Sequence, residues 1–200
     1  MAGRPRGTGG RAEELTPDQI RRIDKCLTGT RHEKRNRALF YLGLGTGMRI
    51  GELVGLRVKD VAPKRRVRSR IVLEKHSTKS KRSRTVAISK QAVKHLQEYL
   101  DRRGPGPDTS EPLFPSQRRP NRSMTDTNAI LALKRMFQVA GVENASSHSL
   151  RRTHANALRR QGVDMKVIQD QLGHSSLAVT ERYFEVDPLE HQRAIEQLRF

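Results

Sequence analysis

Apolar residues recur at helical spacing along most of the chain. The first stripe, Ile20, Ile23 and Leu27, follows Thr16, which suits a helix cap, and Pro17, which is favoured at the first helical position. Further stripes predict helices near residues 33 to 43, 92 to 100, 130 to 140, 149 to 161, 164 to 172, 176 to 184 and 188 to 199. The second half of the chain is therefore predicted to be almost entirely helical.

One stretch has a strand-like pattern instead. Residues 67 to 73 and 84 to 88 cluster or alternate β-branched residues, and a polar run from His76 to Ser83 separates them. They predict a β-hairpin with a basic loop. The expected fold class is mainly α with a small antiparallel β-sheet, which is α+β.

Glycine and proline residues interrupt or separate these predicted elements. Gly43, Gly45 and Gly47 interrupt the second helical pattern, which indicates a close approach or a bend before a short helix that begins at Arg49. The Pro- and Gly-rich run over 104 to 112 predicts an exposed linker. A length of 200 residues fits one domain of ordinary size, and no internal repeat is visible.

The first 14 residues are rich in Gly and Arg and carry no periodicity. They predict a flexible basic N-terminal arm, followed by one domain over residues 15 to 200. Within the arm, Arg4 and Arg6 lie in a Gly-Arg-Pro-Arg-Gly segment that resembles the core of an AT-hook, which inserts arginines into the narrow minor groove of A·T-rich DNA. An unstructured basic tail is the alternative interpretation.

Charge points to a nucleic-acid partner. Forty Lys and Arg against 21 Asp and Glu give a formal net charge of +19, so a large polyanion is the expected ligand. The aromatic content of 4%, without Trp, argues against the stacking surfaces of single-strand binders and favours duplex DNA.

The lone Cys26 excludes an internal disulfide and a cysteine zinc cluster. No apolar run suits a signal peptide or a membrane span, so a cytoplasmic protein without a membrane partner is predicted.

Two arginines stand out once the polar residues are placed on the predicted helices. Arg151 shares a face with Ala155 and Leu158, so it points toward apolar surroundings and needs an anionic partner. His148 lies one turn earlier on the same side. Phosphate is a suitable anion for such a guanidinium.

Arg49 opens the short helix after the glycine-rich segment, with Glu52 one turn on to orient its guanidinium. Further along, His174 and Tyr183 flank a predicted helix end at Gly173. That break allows both side chains to reach one pocket. Two guanidinium groups, an imidazole and a hydroxyl are the groups that phosphoryl transfer to a protein nucleophile requires.

Four segments in this order resemble the catalytic domain of the tyrosine recombinases, also called the phage integrase family. The segments are residues 46–53 (TGMRIGEL), 78–86 (TKSKRSRTV), 148–155 (HSLRRTHA) and 172–183, which begins LGH and ends at Tyr183. The resemblance covers about residues 15 to 190. It implies the fold of that catalytic domain, either in a short form that lacks the N-terminal core-binding domain of most relatives or as a piece of a longer protein from which that domain was removed.

The resemblance also implies a role for each residue that contacts the phosphate. Tyr183 is the expected nucleophile, which forms a 3′-phosphotyrosyl link and frees a 5′-hydroxyl. Arg49 and Arg151 are expected to clamp the phosphate, and His174 to donate a hydrogen bond to the transition state.

Proton transfer is assigned in the same way. Lys79 is expected to protonate the leaving 5′-oxygen, with Lys81 as the alternative, and His148 to act as an acid or base near the tyrosine. Because the phosphotyrosyl ester conserves the energy of the broken phosphodiester bond, no metal, ATP or other cofactor is expected. Arg152 and His154 depart from the common family pattern, and these changes are expected to affect packing more than chemistry.

The implied function is site-specific DNA recombination, with integration, excision, inversion and resolution left open. Alternatives are relaxation of DNA in the manner of a type IB topoisomerase and a non-catalytic DNA-binding regulator. The implied partners are duplex DNA with paired recombination sites and further copies of this chain, which form a tetramer on DNA. A C-terminal helix over 184 to 200 is expected to dock on the neighbouring protomer, and packing on its own domain is the alternative. The expected location is the nucleoid of a bacterial or archaeal cell. DNA-binding side chains are expected at Arg4, Arg6, Lys81, Arg82, Arg84 and Arg152.

Overall fold

A computed structural model describes residues 12–74, 83–104, 109–181 and 195–196. Nine helices and two strands lie within these ranges, which confirms the predicted mainly helical α+β class. In chain order they are α1 Pro17–Leu27, α2 Glu33–Thr46, α3 Ile50–Gly55, α4 Val58–Val61, β1 Arg70–Leu73, β2 Arg84–Ala87, α5 Lys90–Arg103, α6 Asp126–Val139, α7 Ser147–Arg160, α8 Met165–Leu172 and α9 Leu177–Glu181.

Helix α2 forms the centre of the hydrophobic core. It is buried on nearly all sides after its first turn, and it packs mainly against α5 and α7. Phe40 is fully buried, with its ring edge-on to Tyr41 and to Phe137 of α6. Helix α1 covers α6, with its N-terminus held by a capping box in which Thr16 and Gln19 exchange hydrogen bonds. The predicted Thr16 cap is therefore confirmed.

The glycines of α2 serve two different purposes. The helix continues through Gly43 and Gly45, so the predicted interruption there is wrong. A Cβ on Gly43 would lie 2.7 Å from Leu150 Cδ1, and one on Gly45 would lie 2.6 Å from Ala92 Cβ, so these glycines permit close packing. Gly47 ends the helix in the left-handed region at φ +64°, which is the predicted bend.

The two strands form an antiparallel hairpin with Ile71 opposite Val86, and both of these side chains are fully buried. The first strand is shorter than the predicted 67 to 73. The residues expected to begin this strand make other hydrogen bonds. The Arg68 amide donates to the Val61 carbonyl at the end of α4. The one-turn helix α4 was not predicted. Its N-terminus is capped by Asp60, whose carboxylate accepts from the Arg57 amide at 2.7 Å.

A second, smaller cluster joins α7 to α8 through the buried side chains Ala155, Ile168 and Leu172. Asp164 caps the start of α8 by accepting from the Lys166 amide at 2.7 Å. Helix α8 also contacts β2. This cluster fixes where the C-terminal end of α8 lies relative to α2 and the hairpin.

The predicted N-terminal arm falls mostly outside the described residues, since these begin at Ala12. The Glu14 carboxylate accepts from Asn156 at 2.7 Å, and the Leu15 amide donates to Thr153 Oγ1 at 2.9 Å, so residues 14 and 15 contact α7. Of the predicted C-terminal helix, only residues 195–196 are described, and they are helical. In the part of the chain that the structure describes, no helix has the length and apolar character needed to cross a membrane.

The packing of α2 against α5 predicts that Gly45→Ala lowers the free energy of unfolding by about 1–3 kcal/mol, because the new methyl group overlaps Ala92 and Ser89. Urea denaturation followed by far-ultraviolet circular dichroism measures this change. Gly55→Ala is the matched control, since nothing lies within 4 Å of its added Cβ, and it should stabilise by up to about 1 kcal/mol through helix propensity. Equal effects at both positions would contradict the packing argument.

Candidate active site

The C-terminal turn of α8 is the point where the candidate site residues meet. Gly173 adopts φ +67°, which is the left-handed conformation that glycine tolerates. The Gly173 amide donates to Asp170 O at 3.1 Å and the His174 amide to Gln169 O at 3.1 Å, the two bonds of a Schellman motif. This turn ends the helix as predicted, and it fixes the carbonyls of Leu172 and Gly173 and the backbone of His174.

Arg151 is buried, with 3% of its surface exposed, as its position on the apolar face of α7 predicted. Its guanidinium donates to Gly47 O at 2.5 Å and to Leu172 O at 2.7 Å. Both carbonyls lie at helix C-termini, where backbone oxygens lack helical partners and the helix dipole is negative. Arg151 therefore links the ends of α2 and α8.

Arg49 approaches the same turn from the other side. It precedes α3, and its two terminal nitrogens each lie 3.4 Å from Gly173 O. Glu52 supports it by accepting from the Arg49 amide at 3.0 Å and from the guanidinium at 3.4 Å. The Arg49 side chain keeps 30% of its surface exposed, so it faces solvent where an anion can bind.

His174 is buried beside these arginines, and its Nδ1 lies 2.8 Å from Thr180 Oγ1. Burial, with the positive charges of Arg151, Arg49 and Arg84, lowers the pKa of His174 to about 3, and the Glu52 carboxylate opposes the shift. The imidazole is therefore neutral at neutral pH. When the Thr180 hydroxyl donates to Nδ1, Nε2 carries the ring hydrogen and can donate to an anion.

Two further residues that were not predicted from the sequence hold this arrangement. Thr180 orients the His174 ring from helix α9. Gln171 donates to Ala87 O at 2.9 Å and to Thr46 O at 3.1 Å, and accepts from the Ala87 amide at 3.0 Å, so it ties α8 to both α2 and β2. Nothing in the local sequence pattern distinguishes these two side chains from ordinary polar residues.

Two other predicted residues lie on α7. The His148 side chain is exposed at the start of the helix, one turn before the buried Arg151. Arg152 is half-buried and donates to the Ala12 carbonyl at 3.4 Å. The roles predicted for them in proton transfer and DNA binding remain predictions.

Arg84, predicted to bind DNA, is paired with Glu52 inside the site, and its side chain is only 10% exposed. Its DNA contact also remains a prediction. The other predicted site residues lie outside the described ranges: Arg4, Arg6, Lys79, Lys81, Arg82 and the expected nucleophile Tyr183.

His154 of α7 lies beside the candidate site. Its ring packs against Gly47, and its Nδ1 lies 2.8 Å from the Leu44 carbonyl. A carbonyl can only accept, so Nδ1 carries the hydrogen. Burial lowers the pKa of His154 to about 4 together with the charge of Arg151, although the hydrogen bond to Leu44 opposes the shift.

Comparison with known proteins identifies the family. The sequence profile of the phage integrase family matches residues 13–190. The chain belongs to this family. Its resemblance to the tyrosine recombinases, inferred from four short segments, is confirmed by a match over most of its length.

The family members most similar to this chain include the tyrosine recombinase XerA of Thermococcus kodakarensis, which is 35% identical over 184 residues, or 92% of this chain and 61% of that protein. The crystal structure of XerA recombinase superposes with a TM-score of 0.78 at 27% identity and covers 98% of this chain and 68% of that one. The XerH site-specific recombinase bound to its difH substrate has the same fold, with a TM-score of 0.70 at 24% identity over 94% of this chain and 55% of that one. The chain thus spans about three fifths of the length of the curated relative.

The pKa of His154 predicts a pH-dependent stability. Its pKa is about 6.5 in an unfolded chain and about 4 in the folded protein, so the unfolded chain takes up a proton first as the pH falls. The free energy of unfolding should therefore fall as the pH is lowered from about 6.5 towards 4. His154→Asn keeps a donor for Leu44 O but cannot titrate, and it should reduce the fall between pH 7.5 and 5.5 by about 1 kcal/mol.

Urea denaturation at the two pH values measures this difference. His174 titrates in the same direction, so the variant should retain part of the pH dependence. An identical fall in the wild type and in His154→Asn would show that His154 is not buried as a neutral ring.

Proposed function

We propose that this chain is the catalytic part of a site-specific DNA recombinase, which cuts and rejoins strands through a 3′-phosphotyrosyl intermediate. The observation that carries the proposal is the convergence of Arg49, Arg151 and His174 on the C-terminal turn of α8, in a member of the phage integrase family. The similar proteins include the XerA and XerH recombinases and the integrase of the transposon Tn1549.

The three side chains suit a phosphodiester in which negative charge increases during reaction. A guanidinium carries five N–H donors in a planar fork, so it can bond to backbone carbonyls and to a phosphate together. Arg49 and Arg151 would contact the non-bridging oxygens, and the neutral His174 would add a hydrogen bond from Nε2. Donors that are already fixed before the substrate binds stabilise the transition state without a cost of reorganisation.

The bond changes follow from a tyrosine nucleophile. Tyr183 Oη attacks the phosphorus and loses its proton, with His148 as the base, while the bond to the 5′-oxygen breaks. Lys79 or Lys81 gives the leaving 5′-oxygen a proton, and the product is a 3′-phosphotyrosine and a 5′-hydroxyl. Attack by the 5′-hydroxyl of another strand reverses these steps and releases Tyr183, so the number of phosphodiester bonds is conserved.

Duplex DNA with paired recombination sites is the proposed partner, and a tetramer of this chain on DNA is the proposed assembly. The net charge of +19 supports binding to the phosphate backbone. The related XerH and the Tn1549 integrase have been solved in complexes with their own recombination or transposon DNA. The predicted C-terminal helix over 184 to 200 is the proposed contact between neighbouring protomers.

The nucleophile assignment predicts that Tyr183→Phe abolishes covalent attachment to DNA. A supercoiled plasmid that carries this gene with its native flanks would be incubated with protein in EDTA without ATP, quenched in SDS and scored for protein-linked DNA. The wild type should form the adduct. Tyr41→Phe is the matched control and should form it too, because Tyr41 is buried and burial raises its pKa to about 12, which disfavours attack.

The outcomes separate the three candidate functions. Adducts with recombinant product from two sites support the recombinase, whereas adducts with relaxed plasmid alone support topoisomerase-like activity. DNA binding that is equal in the wild type and Tyr183→Phe, without any adduct, supports a non-catalytic regulator and contradicts the proposal.

The basic arm is proposed to bind the minor groove through Arg4 and Arg6. Deletion of residues 2 to 11 should therefore weaken DNA binding and remove its preference for A·T-rich duplexes. Fluorescence anisotropy with an A·T-rich and a G·C-rich duplex of equal length measures both effects. Unchanged affinity and unchanged preference would exclude an AT-hook role.

A further inference from the structure

One carboxylate, Glu52, lies between two arginines of the site. Its side chain is only 4% exposed, and both of its oxygens are held by Arg84, with Nη1 2.9 Å from Oε1 and Nη2 2.8 Å from Oε2. This is the bidentate arrangement that a planar guanidinium forms with a carboxylate. Arg49 Nη1 makes a longer contact with Oε1, at 3.4 Å.

The two arginines differ in exposure as well as in distance. The Arg84 side chain is 10% exposed, whereas that of Arg49 is 30% exposed. Arg84 also lies directly under the α8 turn, since a Cβ added to Gly173 would come within 2.6 Å of its Cζ and Nη1. Arg84 is thus enclosed by Glu52 and Gly173, and Arg49 is the arginine that reaches solvent.

Glu52 can bind both the backbone amide and the guanidinium of Arg49, and these two interactions have different consequences for the site. Its Oε2 accepts from the Arg49 amide at 3.0 Å and so fixes the start of α3. A buried carboxylate without a full partner would also attract the guanidinium of Arg49, because an unpaired buried charge is costly. An Arg49 that is paired bidentately with Glu52 would offer fewer donors to a phosphate.

We propose that Arg84 is a positioning residue of the active site: by occupying both oxygens of Glu52, it leaves the Arg49 guanidinium available to the phosphate while Glu52 still holds the Arg49 backbone. Arg84 itself does not contact the substrate. The inference rests on the recombinase function proposed above, and it assigns Arg84 a role in the site in place of direct DNA binding.

Removal of the Arg84 charge should release Glu52 to Arg49. In Arg84→Met, the rate of adduct formation at saturating protein, on the plasmid with native flanks, should fall by about 100-fold, as for a catalytic group displaced by about 1 Å. The dissociation constant for DNA should change by less than about threefold. Arg84→Lys should give an intermediate rate, because an ammonium neutralises Glu52 but cannot hold both oxygens.

The double variant Arg84→Met with Glu52→Gln separates positioning from a merely structural role. A glutamine can still accept from the Arg49 amide, as in many capping boxes, but it has no charge to attract the guanidinium. The double variant should therefore cleave at least about tenfold faster than Arg84→Met alone. A double variant that is no faster would overturn the proposal.

Arg70→Met, in the other strand of the hairpin, is the matched control. Arg70 is exposed and carries the same charge, so its loss should change the cleavage rate less than twofold. Circular dichroism melting of each variant verifies that the protein is folded. A rate for Arg84→Met equal to that of the wild type or of Arg70→Met would overturn the proposal.

A crystal structure of the Arg84→Met protein tests the same inference without DNA. The distance from Arg49 Nη1 to Glu52 Oε1 should shorten from 3.4 Å to about 2.9 Å as a bidentate pair forms. An unchanged distance would overturn the inference. If the wild type forms no adduct on the plasmid, the proposed function fails separately, and this structure still decides the role of Arg84.

Discussion

The buried guanidinium of Arg151 is the interaction on which the site depends. It joins three helices, since it comes from α7 and donates to the Gly47 carbonyl directly after α2 and to the Leu172 carbonyl at the end of α8. Those carbonyls have no partners within their own helices, so a cation at this point satisfies them and opposes the negative end of each dipole. The Gly47 carbonyl fixes the chain just before Arg49, and the Leu172 carbonyl fixes the chain just before His174. Loss of Arg151 would therefore displace both Arg49 and His174.

The charges around this centre favour the binding of an anion. Among the described residues, Arg49, Arg84 and Arg151 bring three positive charges to this centre and Glu52 brings one carboxylate, while His174 is neutral because burial and the surrounding arginines lower its pKa to about 3. Burial alone would raise the pKa of Glu52, but the hydrogen bonds and charges of Arg84 and Arg49 outweigh it and lower that pKa, so the carboxylate is ionised. The cluster therefore keeps an excess of positive charge at neutral pH, which a phosphate can neutralise.

Much of this was accessible from the sequence, because it depended on local patterns. Helical spacing and caps predicted most of the helices, and the apolar face of α7 predicted that Arg151 is buried. The burial of Arg84 was not predicted even though a signal was present: it shares a strand face with Val86, which is fully buried, so alternation turns Arg84 inward. Continuation of α2 through Gly43 and Gly45 depends on Leu150 and Ala92, which are distant in sequence, and the carbonyl partners of Arg151 depend on where α2 and α8 end in space. Local sequence patterns contain neither the contacts between distant residues nor the positions of these helix ends.

Phosphate sites are commonly built on helix N-termini, where free amides and a positive dipole attract the anion. The candidate site here lies instead at helix C-termini, whose carbonyls would repel a phosphate, so arginines must lie between the backbone and the ligand. Arg49 and Arg151 would then each have protein oxygens on one side and the anion on the other. The affinity for the anion depends on how weakly the protein partner competes. The contacts of 3.4 Å at Arg49 and of 2.8 to 2.9 Å at Arg84 fit this requirement, because the arginine that reaches solvent is the one that the protein holds less tightly.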